Sequence, residues 1–200
     1  MSITLLEDTR NKPGKHDAKN EYLRNNGINV IRLPLPIGDY VLMNDAIAEM
    51  LSTKKPDYSD VMQKDFLGLH SRSVDTKFSL AEVYSCIIQD HARFAREADR
   101  AVENGVELTI LVEEEGVKDI GDVRFWKNPH YAHSMKRYKR ALWQKKNNRW
   151  NSNKRIMPPV SSEGLMKRMI AFAEHHGCRW EFCSPDEAGA KVIEILTRGK

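Results

Sequence analysis

The chain has 200 residues, 40% of them apolar and 30% charged, with a formal net charge of +4, four Trp and three Cys. That length and apolar share suit one domain, or one domain with a sizeable insertion, built on a real core. No apolar run approaches a membrane span, the start lacks a basic secretory leader, and an odd, small number of cysteines argues against a disulfide scaffold, so a reduced cytoplasmic protein without membrane association is expected.

Ile3-Thr4-Leu5-Leu6 reads as a first buried strand ending in Glu7-Asp8-Thr9-Arg10, followed by a turn at Pro13-Gly14. A short polar helix runs from His16 to Asn25, and Asn26-Gly27 stops it, glycine supplying the left-handed residue that helix ends favour. Asn29 to Leu35 is a second strand closed by Pro34 and Pro36, and Ile37 to Met43 holds a turn and a third strand. Residues 44–72 show no sustained period beyond a helical turn or two at Ala46 to Leu51. They read as an irregular insertion between neighbouring strands.

Val74-Asp75-Thr76-Lys77 is a short extended run. Ser79 and Glu82 then match a helix capping box. Leu80, Val83, Ile87, Phe94, Ala98 and Val102 recur at helical spacing, predicting one long amphipathic helix to Asn104-Gly105, with His91 as a core or boundary histidine. Leu108 to Val112 is a continuous apolar run suited to a central strand covered on both faces. Residues 123–160 form a basic, aromatic-rich segment with a helix over Ser134 to Lys145. A helix capped by Ser161 or Ser162, a strand at Arg179 to Phe182 and a helix at Glu187 to Thr197 follow. Strands alternating with helices predict an α/β sandwich around a mixed sheet. The cysteines read as buried thiols.

The net charge conceals an asymmetry. Between Lys127 and Arg155 stand ten Lys/Arg and no Asp or Glu, so the rest of the chain holds 22 basic against 28 acidic residues. One concentrated basic segment on an acidic body suits a polyanionic partner. The aromatics set among its cations, Trp143 included, fit phosphate contacts combined with base stacking. Lys136, Arg137, Lys139, Arg140, Trp143, Lys145 and Lys146 are the candidate nucleic-acid contacts, with Arg93 and Arg96 on the polar side of the long helix. The bland reading of either group is a solvated face.

In an extended run Asp75 and Lys77 point the same way, because strand side chains alternate. A carboxylate suits a hard divalent cation, and an ammonium suits phosphate charge or an attacking hydroxide. Spacing alone reads equally as a surface ion pair, and Gly38-Asp39 alone as a turn.

Taken together, Leu35-Pro36-Ile37-Gly38-Asp39-Tyr40 and Val74-Asp75-Thr76-Lys77 resemble the PD-(D/E)xK, restriction-endonuclease-like nucleases, and among them the XPF-type structure-specific endonuclease domain. Asp8-Thr9-Arg10 closing the first strand, Val112-Glu113 closing the apolar strand, and the tail from Trp180 to Glu187 follow the same family order. The similarity spans most of the chain outside 44–72 and 123–160 and looks most like small stand-alone members from bacteria and phages. The chain departs from the eukaryotic and archaeal members in carrying Asp75-Thr76-Lys77 where they have Glu-Arg-Lys. It also has Ala81 where they place an Asp, with Glu82 one step on.

The resemblance implies one α/β nuclease domain over 1–200, a restriction-endonuclease-like mixed sheet flanked by helices. It implies a Mg²⁺- or Mn²⁺-dependent endodeoxyribonuclease of DNA repair or recombination, acting on branched, flapped or partly single-stranded DNA. Asp39, Asp75 and Lys77 are the implied catalytic residues, and Asp39, Asp75 and the Thr76 backbone carbonyl the implied metal ligands. Asp8 divides between outer support and holding Arg10, and Glu82 between helix capping and the metal. Relatives pair through their last helices, and the apolar face of Leu165 to Ile170 permits a homodimer there. The rival reading is a non-catalytic DNA-binding module of the same fold.

Overall fold

The computed structural model describes residues 3–10, 14–129, 131–150 and 156–199; Pro13 of the expected turn and the end of the basic segment at 151–155 lie outside the described residues. Among the described residues six strands form one sheet: β1 (Thr4–Asp8), β2 (Asn29–Leu33), β3 (Tyr40–Leu42), β4 (Arg72–Lys77), β5 (Glu107–Glu113) and β6 (Arg179–Cys183). Their order is β2-β1-β3-β4-β5-β6. All neighbours are parallel except β3, which runs antiparallel to both β1 and β4. The carboxyl ends of β1, β4 and β5 and the amino end of β3 therefore share one edge of the sheet. In α/β sheets the carboxyl edge of parallel strands is where ligands bind.

The flanking helices are α1 (Asp17–Asn25), α2 (Asp45–Ser52), α3 (Leu80–Ile88), α4 (His91–Glu103), α5 (Tyr131–Lys146), α6 (Ser162–His176) and α7 (Ala188–Thr197). Side-chain alternation divides the core between the two faces. On one, Leu5, Tyr40, Val74 and Leu111 pack with Leu23 of α1 and Val192 and Ile195 of α7. On the other, Leu108, Ile110 and Val112 pack with Val83, Phe94 and Ala98, and with Leu165, Met169 and Phe172 of α6. The Leu165 to Ile170 stripe is thus largely spent inside the chain, since Leu165 and Met169 are fully buried.

The structure departs from the sequence-based expectations in two places. The single long helix is two, α3 and α4, broken at Gln89-Asp90, whose N–H groups both bond the Ser85 carbonyl. A straight helix over 80–102 would run about 35 Å, far past a six-residue strand of about 20 Å. The break keeps Phe94, Ala95, Ala98 and Ala101 on the core. His91 starts α4, exposed and edge-on to Phe172. Second, 44–72 is irregular only in part, and its last residue, Arg72, already belongs to β4. Asn44 caps α2, and Ile47, Leu51, Val61 and Phe66 bury against Leu6, Leu35 and Val41 in a small core of their own. As expected, β1 ends in Glu7 and Asp8 and β5 in Glu113, and all three acids are buried. Those acids stand at the carboxyl edge.

Candidate active site

The loop before β3 lies directly on β4. Gly38 has φ +66°, and a Cβ there would stand 2.9 Å from the Val74 carbonyl oxygen. Glycine meets both demands, the positive φ and the close backbone approach. The Asp39 N–H then donates to the Val74 carbonyl at 2.8 Å, and Ser73 Oγ to the Ile37 carbonyl at 2.7 Å. Asp39 reaches along β4, where its Oδ2 accepts from the Thr76 N–H at 2.9 Å and the Thr76 hydroxyl at 2.7 Å.

Asp75 and Lys77 leave β4 on the α3–α4 face, both buried, with Lys77 Nζ donating to Asp75 Oδ2. The ammonium lies 5.1 Å from the centroid of Phe94, a cation–π contact. Asp8, Arg10, Lys15, Asp39, Asp75, Lys77, Glu82, Cys86, Arg93, Phe94 and Glu97 line one cavity of about 200 Å³. The two acids separated by 36 positions in the chain, and their lysine, are thereby brought together.

Burial is the largest influence on Asp75. Opposed by Lys77 but reinforced by the charges of Asp39 and Glu97, it pushes the carboxyl up to about 7. Burial also opposes the charge on Lys77, but Asp75 and Asp39 outweigh it and hold the ammonium above the usual lysine range. Asp8 is tied to Arg10, whose Nε lies 2.6 Å from Oδ2, and its Oδ1 accepts from the Leu35 N–H at 3.2 Å. Burial nevertheless raises its carboxyl against Arg10. Glu82 accepts from the Phe78 N–H at 2.8 Å while its own N–H reaches Ser79 Oγ at 3.3 Å, so it caps α3 and lines the cavity at once.

Glu97 is an acidic cavity residue that pattern reading passed over. It accepts from the Gly38 N–H at 3.0 Å and faces the same space. The stripe Arg93, Glu97 and Arg100 at i, i+4, i+7 is the helical signal for it, with Arg100 donating to the Pro36 carbonyl at 3.0 Å. Arg93 lines the cavity and pairs with Asp90 at 2.5 Å; Arg96 is exposed and does not line it.

The basic residues Lys136, Arg137, Lys139, Arg140, Lys145 and Lys146 lie exposed on α5, a helix that buries none of its residues. Trp143 is 54% exposed, with the Arg149 guanidinium 5.4 Å from its ring. A cavity of about 490 Å³ between α5 and Tyr84 of α3 is lined by Arg137, Tyr138, Arg140, Gln144 and Trp150, among others.

Among the described residues, no three His, Cys, Asp or Glu side chains form a closed metal cage. The donors at the sheet edge are nonetheless carboxylate oxygens, the chemistry Mg²⁺ and Mn²⁺ take. Asp39 and Asp75 stand close enough that one raises the other's carboxyl, a repulsion that a cation relieves.

A six-stranded mixed sheet of this order, with helices on both faces and acids at its carboxyl edge, is a restriction-endonuclease-like α/β fold. The chain is similar in structure to XPF from Aeropyrum pernix, solved in complex with DNA, with a TM-score of 0.51 and 18% sequence identity. The match covers 98% of this chain and 64% of that one, so this chain spans less than two thirds of that protein's length. At that identity the likeness is one of fold. No protein-family model and no curated protein matches the chain. Among the described residues, no helix is long and apolar enough to cross a membrane.

Proposed function

We propose that the protein is a divalent-metal-dependent endonuclease that hydrolyses phosphodiester bonds in DNA, preferring branched, flapped or partly single-stranded substrates. The observation that carries the reading is the meeting of Asp39, Asp75 and Lys77 in one small cavity at the carboxyl edge of the sheet. The fold likeness to an XPF in complex with DNA supports it.

Asp39, Asp75 and the Thr76 carbonyl would hold Mg²⁺ or Mn²⁺, with Glu82 and Glu97 at hand to carry water around it. When bound, such an ion supplies Lewis-acid polarisation of the phosphoryl group and lowers the pKa of water. Lys77, fixed between Asp75 and the Phe94 ring, places positive charge where the phosphoryl oxygens gain negative charge. Asp8 holds Arg10 at the mouth, so its part is to shape the cavity. The cations of α5 and Trp143 take the backbone and unpaired bases.

Labelled single-stranded, duplex, flapped and four-way DNAs, incubated with and without Mg²⁺ or Mn²⁺, test the reading. Metal-dependent cleavage favouring the branched forms, absent in Asp75→Asn, is expected. Binding without cleavage of any of them would leave the non-catalytic alternative in its place.

A further inference from the structure

We propose that Glu7 and His16 are positioning residues that set Asp39 for metal binding from the opposite face of the sheet. The proposal rests on the metal-dependent reading of the site.

His16 precedes α1 and is buried, on the face away from Asp75 and Lys77. Its Nδ1 lies 3.2 Å from Glu7 Oε1, its Nε2 3.2 Å from Thr76 Oγ1 and 3.7 Å from Asp39 Oδ2. A carboxylate only accepts, so Nδ1–H donates to Glu7, which fixes the ring's orientation, and because the Thr76 hydroxyl gives its one proton to Asp39, Nε2 donates to Thr76 Oγ1. Glu7 is held in turn. Asn20 Nδ2 donates to its Oε2 at 2.9 Å, and Arg32 Nε approaches the same oxygen to 3.4 Å. The Tyr40 hydroxyl donates to Asn20 Oδ1 at 3.0 Å, and the Tyr40 ring packs 5.3 Å from the imidazole.

The imidazole is thus locked at one nitrogen by Glu7 and along its face by Tyr40, and the other nitrogen meets the junction of Thr76 and Asp39. That junction is where Asp39 Oδ2 takes both donors of Thr76. Burying Glu7, His16 and Asn20 costs desolvation that three apolar side chains would avoid. What the polar set adds is a fixed approach to one oxygen of Asp39. A carboxylate–histidine pair placed behind a ligand is how outer groups orient metal donors. Here the pair acts through the thickness of the sheet, because Thr76 and Asp75 are neighbours on opposite faces of β4.

The test is a Mn²⁺ titration followed by the electron paramagnetic resonance of free Mn²⁺, which returns Kd and the number of sites separately. Wild type, Glu7→Gln, His16→Gln, the double variant and Asp39→Asn are compared. Both single variants are expected to weaken Mn²⁺ binding by about 10- to 100-fold at an unchanged number of sites. The double variant should match the weaker single, since the two residues act as one unit. A merely structural pair would lower the number of sites and leave Kd as in wild type, and that result overturns the proposal. Wild-type titrations in both singles overturn it too; loss of binding in Asp39→Asn would then leave the metal-site reading standing. If Asp39→Asn binds Mn²⁺ as wild type does, Asp39 is no ligand and both fall.

Discussion

Thr76 gives both its N–H and its hydroxyl to a single oxygen of Asp39, 37 positions earlier in the chain. The antiparallel pairing of β3 with β4 has its one registered pair at Tyr40 and Val74, and the Asp39 side chain carries the contact on toward the strand's end. A residue outside any strand is thereby held as firmly as one within the sheet. Thr76→Val keeps the branched shape and removes only the hydroxyl. Stability in urea at pH 8 should fall by about 1.5–3 kcal/mol, the range for a hydrogen bond to a charged group. A smaller change than about 0.5 kcal/mol would mean that solvent serves Asp39 equally well.

Gly38 can be tested against a control in the same chain. Gly38 and Gly27 both have positive φ, +66° and +72°, but an added Cβ meets the Val74 carbonyl at Gly38 and nothing within 4 Å at Gly27. Gly27→Ala should cost only the backbone strain, about 1–3 kcal/mol. Gly38→Ala should cost more, because the loop must also lift from β4, and should lose cleavage as Asp39 moves with it. Urea midpoints for the two variants decide the point; equal midpoints would show that the close approach is relaxed in solution.

Asp75 sets a pH dependence. Its carboxyl is raised from an ordinary value near 3.8 to about 7 in the folded chain, through burial first and the charges of Asp39 and Glu97 next. Folding therefore favours the protonated form. Its contribution is intact below about pH 4, declines as pH rises toward 7, and is flat above. Subtracting the Asp75→Asn profile isolates this group, because the other acids remain. The difference should move in the variant's favour by a few kcal/mol across that window, at about 1.4 kcal/mol per pH unit. Urea unfolding of the metal-free proteins at pH 4, 5.5, 7 and 8.5 measures it. A flat difference would place Asp75 in contact with water. With Mg²⁺, Asp75→Asn should bind DNA but not cut it.

The cations of α5 should govern affinity and leave the chemistry alone. Among the described residues none of Lys136, Arg137, Lys139 and Arg140 forms an ion pair, and all four are exposed. Replacing them with Ala should weaken binding to every DNA sequence alike. The salt slope should flatten by about 0.7 to 0.9 for each phosphate that the variant no longer neutralises. Turnover at saturating DNA should change far less. Trp143→Ala should harm single-stranded substrates more than duplex, since stacking needs an unpaired base. An unchanged slope in the four-fold variant would make α5 a solvated face.

Local patterns carried much of this protein. The apolar run Leu108 to Val112 read as a doubly covered strand, and alternation put Asp75 and Lys77 on one side of theirs. Gly38 before Asp39 marked a turn, and the concentration of cations without acids marked out the stretch that becomes α5. Those signals are legible because each depends on residues within a few positions of one another. What the chain's order could not express is contact between distant segments. Only the folded sheet brings Glu97 to the Gly38 N–H, 59 positions away, and His16 to Thr76, 60 away. The break at Gln89-Asp90 is likewise a tertiary decision: the periodicity favours one continuous helix, and the short sheet leaves no room for it. Glu7, Asp8 and Glu113 read as strand ends, but nothing local marked them as buried, because burial of a carboxylate is costly unless a partner waits there. Their partners, His16 and Asn20 for Glu7, Arg10 for Asp8 and Lys19 for Glu113, are supplied largely by α1 as it folds over the carboxyl edge.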